Sequence, residues 1–325
     1  MRMVKRKAIT LAAICVVAGL LISSVALVAL DFNFFEMGTM ESVKNTYALT
    51  EGFSNITVRA AESDVRLLPS EDGTCKVLCN ETDKITHTVA VESGTLTIRS
   101  IDNRKWYERI GFIWNSGSPI EVIIYLPDRT YEALYVRTAS GDVEVPSDLS
   151  FVRAEVDGTS GDICFTAAVE GELLLKSVSG DIQVSGTAPE TLTVQSTSGD
   201  VMVDSVKVGA EFSCKTISGA QKVSDLTCHH ATVYSTSGSV IVSDLIASES
   251  IRMEAVSGSL KLSRCDADTL WLKTVSGDVT GTICTEKVFV TYTTSGGIRV
   301  PDTASGGTCE VRTVSGSIYL DVPDR

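Results

Sequence analysis

Ten Ser-Gly dipeptides recur every 19 or 20 residues along the C-terminal part of this 325-residue chain. Their glycines are Gly141, Gly161, Gly180, Gly199, Gly219, Gly238, Gly258, Gly277, Gly296 and Gly316. A fixed period of this length means one structural unit stacked many times, so the repeat constrains the fold before any other residue is read.

Aligned on the glycine, the copies share apolar columns. Leu134, Leu173, Leu192 and Leu270 stand seven residues before it, and Val136, Leu175, Val194 and Leu272 five before. Val143, Ile182 and Val201 follow it by two, and Val145, Val184 and Val203 by four. Charged and polar residues such as Arg137, Lys176 and Gln195 fall between the columns. This is period-two alternation on both sides of a corner, which predicts two strands per unit and no helix. At the corner, glycine supplies positive φ or room for close backbone approach, and the preceding serine can hydrogen-bond the exposed amides.

One unit is too small to offset its own chain entropy, so the units must share strand hydrogen bonds and buried faces. Aliphatic residues at equivalent offsets, together with a further apolar column at Val206, Leu226, Leu245, Cys265 and Cys284, favour in-register parallel stacking. A sandwich or barrel of hairpins is the competing arrangement. The predicted fold is all-β: a parallel β-solenoid of about ten turns over residues 131–325, preceded by a β cap over 46–130. The closing residues 321–325 carry proline and charges, which suits a blunted last edge.

Arg2, Lys5, Arg6 and Lys7 precede 23 uncharged residues, 8–30, which as a helix would span about 34 Å. This predicts a transmembrane anchor with the N-terminus in the cytoplasm and the bulk of the chain outside it, with residues 31–45 as a tether. A cleaved signal peptide is the alternative. Residues 131–325 hold 26 Asp and Glu against 14 Lys and Arg, and the whole chain carries a net charge of −13. Such a surface repels nucleic acid and excludes it as a partner. The nine cysteines are scattered. Cys265 and Cys284 occupy the same offset in successive units and could pair if their side chains converge.

The anchor, the Ile-Tyr-Leu-Pro at 124–127 and the serial Thr/Val-Ser-Gly-Asp-Val/Ile units (159–163, 178–182, 197–201 and 275–279) resemble the bacterial "putative adhesin" family, a domain-of-unknown-function group of β-strand-repeat envelope proteins. The resemblance covers residues 46–325. It implies an envelope binding or scaffold module, and it brings no catalytic residues.

Two features stand out as candidate sites. Asp142, Asp162, Asp181, Asp200 and Asp278 each follow a repeat glycine, so stacking would set the first four in a column about 5 Å apart. The favoured reading is that each serves the amides of its own turn; the competing one is a weak Ca²⁺ ladder. Trp106, Tyr107, Phe112 and Trp114 cluster before the first Ser-Gly unit. They either cover the cap or form a loop that touches a partner, a glycan or the membrane.

Enzyme signals are thin. The three histidines are His87, His229 and His230, and an adjacent pair on one strand points to opposite faces. No nucleophile triad or nucleotide fingerprint shows in the sequence. The predicted function is therefore a non-catalytic, membrane-anchored binding, adhesion or scaffold module with no cofactor. The unidentified partner is an envelope protein or glycan. An envelope-stress accessory acting through a membrane partner is the second reading, and a polysaccharide-active β-helix the third.

Overall fold

The computed structural model describes Gly19, residues 42–105 and residues 120–322. The predicted anchor therefore lies, but for Gly19, outside the described residues. Among the described residues no helix is long and apolar enough to cross a membrane.

Every element named in the described chain is a β-strand. Successive Ser-Gly units pair in parallel and in register: Leu173 opposes Leu192, which opposes Phe212, and Ile163 opposes Ile182, which opposes Val201. The chain is thus a parallel β-solenoid, and hairpin packing is excluded. The apolar columns face inward and are almost wholly buried from Leu134 to Val279, and again at Cys309, Val311 and Ile318.

The corner glycines are required by close approach. A Cβ on Gly161, Gly180 or Gly199 would lie 1.9–2.1 Å from the carbonyl oxygen of the corner glycine stacked beneath it. Only Gly219, Gly238 and Gly296 among the ten have φ in the left-handed region. The corner amides are not served by the serine before the glycine, whose side chain is exposed in most turns. They are served by a buried hydroxyl three residues before it: Thr138 Oγ1 accepts from Gly141 N at 3.0 Å, and Ser177 Oγ from Gly180 N at 2.9 Å.

The N-terminal segment comprises β1 (Ser42–Leu49), β2 (Asn55–Ala60), β3 (Asp64–Pro69), β4 (Cys75–Thr82), β5 (Ile85–Glu92), β6 (Thr95–Asp102) and β7 (Glu121–Leu126). It joins the first Ser-Gly turn, formed by β8 (Thr130–Thr138) and β9 (Val143–Val145). Part of this cap is itself solenoid. β2 and β3 pair in parallel with β8 and β9, so that Ile56 opposes Leu134 and Val65 opposes Val143. Ser63 occupies the glycine position of this turn. β6 and β7 add another parallel layer beneath it. Only β4 and β1 on one face, and β5 on the other, run antiparallel and end the stack.

The far end does not follow chain order. Strand Thr269–Ser276 pairs with Gly307–Ser315, which pairs in turn with Lys287–Ser295. The turn last in sequence is thus inserted between its two predecessors. Among the described residues the final edge is Lys287–Ser295 and not the C-terminal strand, with Val290 and Tyr292 more than half exposed; residues 323–325 of the expected blunted end lie outside the described residues. Core positions of an end layer are covered on one side only, which suits Thr291 in an otherwise aliphatic column.

Candidate functional site

The aspartate column runs along one corner of the solenoid, and its bonding differs from the expected local turn. Each carboxylate accepts from the backbone of the next layer. Asp142 Oδ1 accepts from Asp162 N at 2.9 Å, Asp162 Oδ1 from Asp181 N at 2.8 Å, and Asp181 Oδ1 from Asp200 N at 2.8 Å. The ladder extends at both ends: Asp64 Oδ1 accepts from Asp142 N, and Asp200 Oδ1 from Ala220 N. Asp278 stands apart and accepts from Ser317 N at 2.7 Å across the reordered end. One oxygen per residue is thereby engaged, and charge repulsion between neighbours is offset by charge-assisted bonds.

Beside this column lies a groove of about 650 Å³ on the outer face, floored by Glu144, Cys164, Gln183, Met202, Lys222 and Ile241. Met202 and Ile241 are each 41% exposed, and Arg66 sits at one end, 3.4 Å from Glu144.

A second polar constellation escaped the sequence reading. Cys79 and Glu81 alternate inward on β4, and His87 faces them from β5 across the short turn at 83–84. All three are buried, and their ligand-type atoms lie within 4.8 Å of one another. His87 Nδ1 is 3.2 Å from Glu81 Oε1, and His87 Nε2 is 2.9 Å from Ser63 Oγ. Asn45 donates to Glu81 Oε2, and the backbone N–H of His87 donates to Oε1. Burial, with a smaller contribution from Glu81, pushes the Cys79 thiol up to about 12. Burial also holds the His87 imidazole below its ordinary value, against the opposing pull of Glu81.

The order Ser63–His87–Glu81 is that of a nucleophile, base and acid. Ser63 is nevertheless fully buried, so a substrate has no path to its hydroxyl. The signal that could have found this cluster is parity: residues 79 and 81 on one strand and 85 and 87 on the next share the inward face of a β-turn-β unit.

Other candidates resolve differently. Trp106, Tyr107, Phe112 and Trp114 lie outside the described residues. His229 and His230 do not point apart; a register shift beside Cys228 leaves both exposed, 3.8 and 3.3 Å from Glu249. Cys265 and Cys284 are free, the first buried and the second exposed. The cause is local. Ser205, Asp225, Asp244 and Arg264 adopt positive φ six residues after their glycines. At the equivalent point of the next turn stands Ile283, a β-branched residue that avoids that region. Without the kink the parity slips: Ile283 turns inward opposite Cys265 and Cys284 turns out.

The fold and its sites define a class: a β-solenoid with an acidic edge ladder and a closed N-terminal end. The family described as Toastrack DUF4097 matches residues 53–211 and again 209–325, and the chain belongs to it. A solved structure described as a putative adhesin, from Bacteroides fragilis, is similar at 16% identity with a TM-score of 0.43, covering 86% of this chain and 97% of that one. One from Parabacteroides distasonis, described as a putative lipid binding protein, gives 13% identity and a TM-score of 0.45, covering 87% and 98%. A putative adhesin from the same organism gives 10% and 0.43, covering 86% and 97%. Among curated proteins none matches.

Proposed function

We propose that this chain is a membrane-anchored, extracytoplasmic binding module, and that the groove beside the aspartate ladder is its contact surface for an elongated, cation-bearing partner of the cell envelope. The observation that carries this reading is the ladder itself. Its carboxylates follow the stacking repeat of about 4.8 Å, with one oxygen each left to face outward. Alongside them the groove floor offers Met202 and Ile241 as apolar contact. A chain of amines or guanidinium groups lying along the ladder would meet opposite charge at every layer. Residues 8–30 supply the anchor in this reading.

The test uses the full-length chain, binding a lysine-rich extended peptide and its lysine-acetylated counterpart. The unmodified peptide should bind, and binding should weaken with salt. Replacing Asp162, Asp181 and Asp200 together by Asn keeps the oxygen that accepts the amide while removing the charge, so binding should fall with the fold intact. Equal binding by both peptides, or no effect of the triple substitution, would sink the proposal. Labelling of Cys284 from outside intact cells tests the orientation separately.

A further inference from the structure

The interior of the cap holds a buried thiol, carboxylate and imidazole side by side, donated by both faces of the solenoid. Cys79 and Glu81 belong to β4, on the same sheet as β1, β7 and β3; His87 belongs to β5, on the sheet of β6 and β2. We propose that Cys79, Glu81 and His87 form a Zn²⁺ site that ties the two sheets together where the stack ends.

Three observations support the assignment. The first is donor geometry. Zinc bonds of about 2.0 Å to nitrogen and oxygen at the tetrahedral angle set those atoms about 3.3 Å apart. His87 Nδ1 and Glu81 Oε1 are 3.2 Å apart, and all three donor atoms lie within 4.8 Å, so closure around an ion needs side-chain shifts of the order of 1 Å.

The second is the outer shell. A metal-bound imidazole directs its other nitrogen to a fixed partner, and a ligating carboxylate is held by hydrogen bonds. Here His87 Nε2 can donate to Ser63 Oγ at 2.9 Å, which leaves Nδ1 unprotonated and facing Glu81. Asn45 donates to Oε2 of Glu81, leaving Oε1 directed at the imidazole.

The third is charge. A carboxylate buried to 4% exposure next to a neutral imidazole and a thiol is costly. A divalent cation bound to one thiolate, one carboxylate and one neutral imidazole brings the cluster to zero net charge. Binding transfers the thiol proton of Cys79 to solvent and involves no change of oxidation state. Thiolate and imidazole together favour zinc over magnesium or calcium.

Since the site is enclosed, the metal enters as the chain folds. The full-length chain is therefore produced in zinc-containing medium and, separately, in medium where cobalt replaces zinc. Stoichiometric metal is expected in both. The cobalt form should show a thiolate-to-cobalt charge-transfer band and the intense visible absorption of a four-coordinate ion. X-ray absorption on the zinc form should show one sulfur and the remaining ligands nitrogen or oxygen. Cys79→Ser should abolish the charge-transfer band. Asn45→Ala, which leaves all three donors in place, should weaken zinc about 10- to 100-fold in competition with a chromogenic chelator.

A folded chain without stoichiometric metal from either medium overturns the proposal. So does a sulfur-free or all-sulfur shell, or a cobalt band that survives Cys79→Ser and disappears with Cys284→Ser. The absorption measurements use the unsubstituted chain, so the outcome stands even where Cys79→Ser fails to fold.

Discussion

Replacing Gly180 by alanine tests what the repeat glycine is for. Gly180 lacks left-handed φ, so backbone strain predicts a mild effect, whereas stacking predicts a severe one. The added Cβ would lie 1.9 Å from Gly161 O, whereas real contacts at such a site begin at 3.0–3.4 Å. Taking 3.2 Å, the two layers must separate locally by about 1.3 Å (3.2 minus 1.9). The bonds that cross the layers at this corner include three from the backbone amides flanking Gly180: Val178 N to Gly158 O at 3.2 Å, Ser179 N to Thr159 O at 2.8 Å, and Asp181 N to Asp162 Oδ1 at 2.8 Å. An opening of that size breaks all three. At about 0.5–1.5 kcal/mol each, the loss from these three is about 1.5–4.5 kcal/mol.

Equilibrium urea unfolding, followed by far-ultraviolet circular dichroism, reads this out. Stability in a stacked array depends on nearest-neighbour interfaces. Gly180→Ala should therefore lower the midpoint and also broaden or split the transition, because the weakened interface divides the array. Gly52→Ala is the control. Nothing lies within 4 Å of its added Cβ, so its effect should stay within about 1 kcal/mol of the wild type. If Gly180→Ala unfolds within about 0.5 kcal/mol of the wild type, below the value of a single hydrogen bond, the close-approach argument is wrong.

Asp181→Asn retains an oxygen for Asp200 N and should leave stability nearly unchanged, while Asp181→Ala should cost about 1 kcal/mol in the same unfolding assay. Calorimetric titration with Ca²⁺ should give no heat from the ladder, since calcium needs six to eight oxygens and each aspartate has one left to offer. Proteolytic nicking in the exposed stretch at 302–306 should leave the fragment from Gly307 onward attached under native conditions, because its strand lies between two others. Its release on gel filtration without denaturant would contradict the reordered end. Among the described cysteines, exposed Cys284 should alkylate first, while Cys214 and Cys309, pushed up to about 12 mainly by burial, should react only after unfolding. A Cys265–Cys284 disulfide forming in the native protein would refute the inward turn of Ile283.

The ten Ser-Gly corners were legible because stacking forbids a Cβ there, and that prohibition writes itself into the sequence as an invariant letter at a fixed period. The turn at Ser63 was missed for the converse reason: its corner lacks the letter. Yet Ile56, Val58, Val65 and Leu67 stand at the same offsets as every other turn. The exchange of the last two layers left no periodic trace, since each unit keeps its own strands whichever neighbour it meets; only Thr291 in a core column hinted at an end layer. The aspartate ladder was read correctly as a column and incorrectly as local bonding, because an amide one layer away has the same spacing as the repeat. The Cys79–Glu81–His87 cluster shows in the sequence only as shared inward parity on β4 and β5; that these strands stand on opposite faces of the stack depends on their long-range pairing with β7 and β6.

That cluster lies beside the break in the glycine column. At each of the ten stacked corners the carbonyl of the adjoining layer fills the space that a side chain on the glycine would need. At Ser63 a side chain stands at the position that glycine holds in the ten Ser-Gly turns. Its buried hydroxyl meets His87 Nε2 at 2.9 Å. The antiparallel strands that close the stack bring Cys79 and Glu81 to the same place. Ser63→Gly would restore the repeat letter and remove the partner of His87 Nε2. On this reasoning it should leave the solenoid folded while loosening the orientation of the imidazole, seen as weakened cobalt or zinc binding. An undisturbed metal site in Ser63→Gly would show that the break in the glycine column and the cluster beside it are unconnected.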